Sequence, residues 1–506
     1  MDLPTPIPAP PPAVPAMSTI TVHGAGVLAD EPVIQTTPPP VRWLPPSQRR
    51  RIIEGAVLFL CAILFLRTIA VEPFGVPTGS MAPTLFGNHK TVQCPRCHYM
   101  VTVGEPSARA EGVYPTTACP NCNQPDLTLT AAREVSGDRL LVDKTVYRFR
   151  SPRRWEVAVF ICPSDKSKPY VKRVIGLPGE EISLREGDVW VNNQLVRKTL
   201  AEARGCRVPV YDGDSFPPTG WERRWLPAGQ LPRLLPVAEP TPEWFVYRTD
   251  ELAVAAEQSP TPLMAAYWHV DADSGQAEVI RDGFEYNGHS AVTQTHPVHD
   301  FFFTAEVEPT AGAGMVVLSL FDGADEVTAH IAVGGEFGES KLMVPDKGMV
   351  RTANRPPLKV GNKLKLEMAF VDRRVSVAVD GTEYFSHDLP AGAKRVDVSS
   401  PVKVGAQGVN ATFRRLKLDR DIYYRPTGTH GTARPLTLGG DEYFMLGDNS
   451  ANSDDSRSWQ IPAVPERNFL GKPFLLHQPS RPAVWSVGGR AVEMQTIDWG
   501  RVRWLR

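Results

Sequence analysis

The stretch PTGSMAPTL, residues 77–85, places a serine in a restricted backbone setting. Ser80 follows a glycine, and the prolines at positions 77 and 83 limit the backbone on both sides. Such a serine is well placed to act as a nucleophile, although a Gly-Ser pair in a proline-rich loop is more often only a turn. A nucleophilic serine also needs a base that accepts its proton. If Ser80 is catalytic, another part of the chain must supply that base.

Two later stretches contain candidate partners for the serine. Residues 170–180 read YVKRVIGLPGE, and residues 447–457 read GDNSANSDDSR. Lys172 can serve as a base only when it is neutral, and burial favours the neutral form of an amine whose ordinary pKa is about 10.4. The apolar residues on either side of Lys172–Arg173 favour burial. A lone Lys-Arg pair is otherwise typical of a solvated edge strand.

These three stretches, in this order, resemble the sequence boxes of bacterial type I signal peptidases, a family of membrane-anchored Ser/Lys proteases. Weaker matches occur at Gly137–Lys144 and Trp155–Phe160. The resemblance covers residues 50–90, 135–190 and 440–475. It implies that Ser80 attacks the scissile carbonyl and that Lys172 takes the serine proton and returns it to the leaving amine.

The resemblance also implies how the dyad is supported. The Ser80 backbone N–H and the Thr78 hydroxyl would form an oxyanion hole. Family members commonly have serine at the position of Thr78, and threonine keeps that hydroxyl while adding a methyl group. Ser453 would donate or accept a hydrogen bond with Lys172 and orient its amine.

Two ion pairs and a substrate pocket complete the implied site. Asp455 would pair with Arg457, and Asp448 would pair with Arg173. Any one of these charges, seen alone, is more often a surface loop charge. The family cleaves after small residues, typically alanine, and apolar residues that flank the dyad line its pocket. Carried over by position, these residues are Phe74, Val76, Pro77, Met81, Leu85, Tyr170 and Val171.

An apolar run precedes the serine by about 15 residues. Residues 55–66 read GAVLFLCAILFL, and the 20 residues from Ile52 to Val71 would reach roughly 30 Å as a helix, enough to cross a bilayer with Glu54 and Arg67 at its interfaces. We predict a transmembrane helix over residues 49–71. A buried core helix and a cleaved secretory signal are the alternatives.

The charges around this run predict a topology. Three arginines at 49–51 precede it and one follows it, which favours a cytoplasmic tail and an extracytoplasmic remainder. The tail, residues 1–48, is rich in proline, and we expect it to be disordered. The predicted location is the bacterial inner membrane, crossed once, with the lipid bilayer as a partner.

Composition and strand patterns predict a mainly β fold. The 55 basic residues nearly balance the 56 acidic residues, so the chain has no basic field for nucleic acid. Short runs of β-branched and aromatic residues separated by Gly and Pro indicate a β catalytic body at 72–198 and 441–506. Within the insertion at 199–440, residues 245–425 alternate cleanly and predict a β-sandwich. This pattern of strands weakly resembles laminin-G or concanavalin-like jelly rolls, so glycan binding, partner docking and a spacer role all stay open.

Four of the seven cysteines form two pairs. CPRC occupies residues 94–97 and CPNC occupies residues 119–122, a spacing typical of a zinc ribbon. We therefore predict structural zinc on Cys94, Cys97, Cys119 and Cys122, within a zinc-ribbon-like insertion at 91–125. Two disulfides or a redox pair are the alternatives, because an extracytoplasmic site is oxidising. The four cysteines would close the metal shell and leave His89 and His98 as bystanders.

The predicted function is signal peptidase I activity on translocated preproteins, with no catalytic cofactor. A related enzyme with a restricted set of membrane-tethered substrates is the nearest rival. A rival of another class is a membrane-anchored, non-catalytic protein whose sandwich binds glycan or protein. The presence of Ser80, Lys172, Ser453 and Asp455 argues against a silent protein.

Overall fold

Strands dominate the computed structural model, which describes residues 46–105, 116–122, 124–130, 132–215, 224–232, 242–248, 251–270, 275–288, 296–335, 338–344, 348–487 and 490–505. The predicted mainly β class is confirmed. Residues 1–45 of the predicted tail lie outside the described residues. Residues Ala62–Arg506 form one compact unit, to which all the strands belong.

The longest helix is Pro46–Ile69, which contains the apolar run at residues 55–66. Its first turns hold an exposed ion pair between Arg50 and Glu54 at 2.7 Å, which shortens the uncharged part of the helix. Among the described residues, no helix is long and apolar enough to cross a membrane. The structure therefore does not support the transmembrane span predicted over residues 49–71. The other α-helices of the described residues are short and lie at Val146–Phe149 and Leu200–Ala203.

An eight-stranded sheet forms the centre of the body that contains the three sequence boxes. In spatial order its strands are Val71–Gly75, Arg139–Asp143, Phe469–Gln478, Val157–Cys162, Asp165–Gly176, Glu442–Leu446 and Ala463–Pro465, with Arg503–Trp504 paired to the third of these. Neighbouring strands pair antiparallel, and apolar side chains such as Val76, Leu140 and Val159 pack together beside the sheet. Burial of such side chains stabilises the sheet by about 1.5–3 kcal/mol each. The stretches Gly137–Lys144 and Trp155–Phe160 therefore contribute two strands of this one sheet, and Phe469–Gln478 lies between those strands.

The described residues also form four smaller sheets. A four-stranded sheet is formed by Gln194–Leu195, Asp188–Val191, Glu181–Arg185 and Leu436–Thr437. A three-stranded sheet is formed by Met100–Gly104, His89–Gln93 and Glu134–Val135. Two-stranded sheets are formed by Thr116–Thr117 with Leu127–Thr128, and by Ser480–Val487 with Arg490–Ile497.

The largest sheet has 13 strands and comes from the insertion. Its main path is Trp225–Pro227, Leu263–Tyr267, Val402–Asp421, Phe301–Phe321, Glu326–Val333, Ser340–Val344 and Gly348–Ala353. The remaining strands are Arg207–Asp212, Phe245–Arg248, Glu251–Ala255, Leu364–Val371, Arg374–Val379 and Thr382–Asp388. The alternating side chains of these strands bury one large core that includes Trp225, Phe301 and Phe303. The predicted β-sandwich at 245–425 falls within this sheet and stays a prediction.

Candidate active site

Lys172 lies in the middle of the body, on strand Asp165–Gly176. This strand pairs antiparallel with Val157–Cys162 on one side and Glu442–Leu446 on the other, which encloses the lysine between its neighbours. Lys172 is only 2% exposed. Burial lowers its pKa from 10.5 to about 8, although the nearby carboxylate of Asp455 opposes that shift. The amine is therefore far easier to deprotonate than an ordinary lysine.

Ser453 holds the amine from the facing loop. Lys172 Nζ donates a 2.9 Å hydrogen bond to Ser453 Oγ. Ser453 directly follows the short turn Ser450–Asn452. A Cβ atom on Gly447 would lie 2.2 Å from Ser453 Oγ and 2.5 Å from the Ser80 carbonyl oxygen, so only glycine allows this close packing. The loop thus brings Ser453 and the Ser80 backbone to the same place.

Ser80 lies in the turn Gly79–Met81, shortly after strand Val71–Gly75. The backbone N–H of Asn449 donates to the Ser80 carbonyl oxygen at 3.0 Å, which ties the serine turn to the loop after strand Glu442–Leu446. Thr78 precedes the turn and is exposed. The predicted nucleophile and base therefore lie on different elements that meet at one loop.

Arg173 and Asp448 form a buried ion pair beneath the site. Arg173 Nε and Nη2 donate to the two carboxylate oxygens of Asp448 at 2.7 and 2.6 Å. Arg173 also donates to the carbonyls of Trp155 and Gly205 at 2.7 and 2.8 Å. Burial would lower the pKa of Arg173, but Asp448 raises it well above its ordinary value. Because successive strand side chains point to opposite faces, this cation is directed away from Lys172.

Asp455 and Arg457 form a second buried pair. Arg457 Nε and Nη2 each donate to a carboxylate oxygen of Asp455 at 2.8 Å. The Gly447 backbone N–H donates to the same carboxylate at 3.1 Å. Burial would raise the pKa of Asp455, yet Arg457 keeps it below its ordinary value. The pair thus keeps a charged carboxylate near Lys172 and fixes the backbone of the loop.

A cavity of about 480 Å³ opens beside Ser80 and Lys172. Its lining residues are Phe74, Gly75, Val76, Pro77, Thr78, Ser80, Met81, Lys168, Pro169, Tyr170, Val171, Lys172, Ala451, Asn452, Ser453 and Asp454. Six of the seven predicted pocket residues are in this lining. Leu85 is instead fully buried in the core beside Met81 and Leu140.

Sequence reasoning missed several residues of this cavity wall. Lys168 and Pro169 immediately precede the recognised lysine stretch, and the five consecutive residues 168–172 all line the cavity, so alternation along the strand could not have identified them. Three further lining residues, Ala451, Asn452 and Asp454, belong to the 447–457 stretch but were not predicted to line the pocket. Asn449 was also unassigned, although its side chain donates to the Gly79 carbonyl oxygen at 3.0 Å.

The four paired cysteines converge at a separate site. All four are buried, and their Sγ atoms lie within 4.8 Å of one another. The Cys94–Cys122 and Cys97–Cys119 sulfur distances are 3.5 and 3.6 Å. A disulfide requires about 2.05 Å, whereas a tetrahedral zinc with bonds of about 2.3 Å spaces its sulfurs by about 3.8 Å. The donor set and its spacing fit a tetrahedral thiolate metal centre.

Comparisons with known proteins match two of the three sequence boxes. Two segments of the chain match one family. Residues 130–231 and 401–477 match the family described as signal peptidase, peptidase S26. These segments include Lys172 and the loop with Ser453, and Ser80 lies outside them. The match supports a peptidase of the S26 signal peptidase type.

Individual relatives agree with this family match. The chain is 42% identical over 72 residues to "Probable signal peptidase I-2" of Synechocystis sp., covering 13% of this chain and 33% of the relative. It is 27% identical over 143 residues to "Signal peptidase I" of Rickettsia massiliae, covering 28% of this chain and 43% of the relative. The chain therefore spans less than half the length of these curated relatives.

Structural likeness to solved proteins is weak. The carbohydrate-binding module CBM66 from Bacillus subtilis aligns with a TM-score of 0.24 and 11% identity, covering 39% of this chain and 96% of the module. The exoplasmic domain of VIP36 aligns with a TM-score of 0.24 and 8% identity, covering 39% of this chain and 87% of that domain. Scores this low support no shared fold, so the resemblance of the insertion to laminin-G or concanavalin-like domains stays a prediction.

Proposed function

We propose that the chain is a serine endopeptidase of the signal peptidase I type, which cleaves signal peptides from translocated preproteins with Ser80 and Lys172. One observation carries this proposal. A buried amine with a pKa of about 8 lines the same cavity as a serine in a fixed turn. A nucleophile beside a base of lowered pKa is the combination that acyl transfer needs.

The acylation step uses both residues. Neutral Lys172 takes the proton of Ser80 Oγ as that oxygen bonds to the scissile carbonyl carbon, and the carbonyl oxygen becomes an oxyanion. The Lys172 ammonium then gives its proton to the amide nitrogen as the carbon–nitrogen bond breaks. The products are a free amine and an ester of the signal peptide on Ser80. Thr78 Oγ1 and the Ser80 N–H are the donors we assign to the oxyanion.

Hydrolysis of the ester repeats the base-then-acid role of Lys172, with water as the nucleophile. Lys172 deprotonates a water molecule, the water oxygen attacks the ester carbon, and the proton returns to Ser80 Oγ as the ester bond breaks. Throughout both steps, the hydrogen bond to Ser453 keeps the amine directed into the cavity. Asp448 and Asp455 act through the arginines and the loop backbone, so we assign them a positioning role.

Substrate selection follows from the cavity wall. Apolar side chains, among them Phe74, Val76 and Tyr170, line one continuous space next to the nucleophile. In our proposal the residues before the scissile bond bind along this wall, and the preference for alanine is the one that the family resemblance implies.

A structural zinc ion on the four cysteines is a second part of the proposal. Cys94, Cys97, Cys119 and Cys122 would hold the ion, and a closed thiolate shell leaves no position for a catalytic water. Zinc would thus supply folding energy to residues 91–125 and take no part in cleavage.

The test of the proposed function is cleavage of a synthetic signal peptide with alanine before the scissile bond. The purified chain should cleave the peptide, and Ser80→Ala should reduce the rate by several orders of magnitude. Ser486→Ala is the matched control, because that serine is exposed on the C-terminal hairpin and should cleave normally. An inactive wild type, or an active Ser80→Ala variant, would reject the proposal and favour the non-catalytic binding protein.

A membrane location rests on the sequence alone. The arginines at 49–51 and the apolar run at 55–66 place the catalytic body, in our proposal, at the outer face of the bacterial inner membrane. Protease added outside sealed vesicles of native orientation should digest the body and leave residues 1–48 intact. Digestion of the tail under these conditions would reject the orientation, and recovery of the chain in the soluble fraction would reject the anchor.

A further inference from the structure

A short segment of the insertion, residues 284–287, lies against the loop that carries Ser80. The segment ends in the turn Glu285–Asn287, in which Tyr286 is 2% exposed and Asn287 is 6% exposed. Neither residue lines the cavity beside the dyad. Two separate sets of contacts connect this segment to the serine turn.

Tyr286 makes the first set of contacts. Its hydroxyl accepts a 3.1 Å hydrogen bond from the buried Gly87 N–H, and the Gly87 carbonyl lies 2.7 Å from His89 Nδ1. A Cβ atom on Gly87 would lie 2.3 Å from the Thr78 carbonyl carbon and 2.6 Å from the Gly79 nitrogen. Gly87 therefore packs directly against the peptide bond between Thr78 and Gly79, just before Ser80, and the hydrogen bond from Gly87 to Tyr286 holds it there.

The Tyr286 ring adds a rigid stack to this contact. Phe86 stacks on it with centroids 5.4 Å apart and planes at 11°, and Phe284 stacks on it at 5.7 Å and 15°. The Arg501 guanidinium lies 4.1 Å from the Phe86 centroid on this stack. A Cβ atom on Gly79 would lie 2.3 Å from the Tyr286 ring, so the ring also touches the serine turn itself. Aromatic stacks of this kind contribute stabilisation beyond their buried area.

Asn287 makes the second set of contacts. Its side-chain amide forms two reciprocal hydrogen bonds with that of Asn449, at 2.8 and 2.6 Å. Asn449 donates from its side chain to the Gly79 carbonyl and from its backbone to the Ser80 carbonyl, both at 3.0 Å. Asn287 thus fixes the side chain that in turn fixes both carbonyls of the serine turn.

Arginines hold the segment in place. Arg420, on strand Val402–Asp421 of the 13-stranded sheet, donates to the carbonyls of Asp282 and Gly283 at 3.0 and 3.2 Å. Arg425 donates to the Asp282 carboxylate at 2.5 Å. These contacts fix the two residues that directly precede the segment to the rest of the insertion.

We propose that Tyr286 and Asn287 are positioning residues for Ser80, so that the insertion completes the geometry of the nucleophile. This inference rests on the proposed peptidase function. Neither residue contacts the cavity, and both act through the backbone of residues 78–80. Because the pKa of Lys172 is set by burial and by carboxylates such as Asp455, the segment positions the nucleophile and leaves the base unchanged.

The test compares Tyr286→Ala, Tyr286→Phe and Asn287→Ala with the wild type in the same peptide cleavage assay. A misplaced nucleophile slows the chemical step, and a displacement of the reacting atom by about 1 Å lowers the rate by about 10²-fold. Tyr286→Ala should therefore lower kcat by about 10²-fold with little change in KM and with the same midpoint in the pH profile of kcat. Tyr286→Phe keeps the stack and loses one hydrogen bond, so it should recover kcat to within about tenfold of the wild type.

Phe385→Ala is the matched control, because Phe385 is buried in the core of the inserted sheet and Tyr286 does not belong to that core. It should lower the urea midpoint of unfolding and leave the kcat of the folded enzyme unchanged. Wild-type kcat in folded Tyr286→Ala and Asn287→Ala would overturn the inference while the peptidase function stands. An equal loss of kcat in Phe385→Ala would also overturn it, since the effect would then be general destabilisation. A wild type without activity would reject the proposed function instead.

Discussion

Lys172 Nζ lies 2.9 Å from Ser453 Oγ, although 281 positions separate the two residues in sequence. The contact follows from topology, because strand Glu442–Leu446 pairs antiparallel with strand Asp165–Gly176 and its following loop returns over the lysine. In the neutral amine, one N–H donates to the serine hydroxyl and the nitrogen lone pair stays available. An amine oriented in this way, by a group other than the nucleophile, is suited to accept a proton.

The dyad assignment predicts strongly non-additive mutations. Ser80→Ala and Lys172→Ala should each reduce kcat by several orders of magnitude, and the double variant should lose little more, because the two residues act as a unit. Steady-state cleavage of the same synthetic peptide measures all three variants. Losses that multiply in the double variant would show that the two residues act independently.

The buried amine predicts the pH dependence of cleavage. Lys172 acts as a base only when neutral, and its pKa is lowered by burial to about 8. The value of kcat/KM should therefore rise about tenfold per pH unit up to about pH 8 and level off above it. Asp454→Asn removes a carboxylate that raises the pKa of Lys172, so its midpoint should move to lower pH. A profile that stays flat between pH 6 and 9 would contradict the role of Lys172.

The Arg173–Asp448 pair predicts a large effect on stability. Asp448→Asn leaves the Arg173 guanidinium buried without its counter-charge, and breaking a buried pair in this way costs about 3–5 kcal/mol of unfolding free energy. Asp441→Asn removes one partner of an exposed pair with Arg467 and should cost at most about 1 kcal/mol. Urea unfolding of both variants measures the difference. Equal effects would mean that the buried pair contributes no more than a surface pair.

Much of the site follows from sequence order, because the three boxes lie on strands or on the loops beside them. The pairing of Lys172 with Ser453 was implied by the family resemblance, and the antiparallel pairing of the lysine strand with Glu442–Leu446 is what brings the two residues together. The position of Leu85 was harder to predict, because the direction of its side chain depends on how the chain turns after Gly79–Met81. The side chain enters the core and does not reach the cavity. Side-chain direction in an irregular loop has no periodicity that a sequence could reveal.

The segment at 284–287 was not predictable for a different reason. Tyr286 and Gly87 lie 199 residues apart, and Tyr286 belongs to a turn without the alternation that marks strands. Its contact with the serine turn depends on how the insertion docks on the body, and that docking is fixed by particular partners such as Asn449. Local sequence patterns report burial and element type, and they carry no information on such docking.

The cysteine site gives the last prediction, which separates zinc from disulfides. If Cys94, Cys97, Cys119 and Cys122 bind zinc, the purified chain should contain about one metal ion, and these thiols should resist alkylation until a chelator is added. Disulfides predict no metal, no effect of the chelator, and free thiols only after reduction. Cys162→Ala is the control, because Cys162 is buried outside the cluster and its loss should leave the metal content unchanged.

The same cluster should affect stability more than catalysis. Asn121, inside the second cysteine pair, accepts from the Asp212 N–H at 2.8 Å and donates to the Ser215 carbonyl at 2.7 Å, so the cluster braces the junction with the insertion. Replacing Cys119 and Cys122 with serine should lower the unfolding midpoint and remove the metal. The kcat of the enzyme that remains folded should change little, since a four-thiolate shell offers no catalytic position. Normal stability together with abolished turnover would instead assign the metal to the reaction.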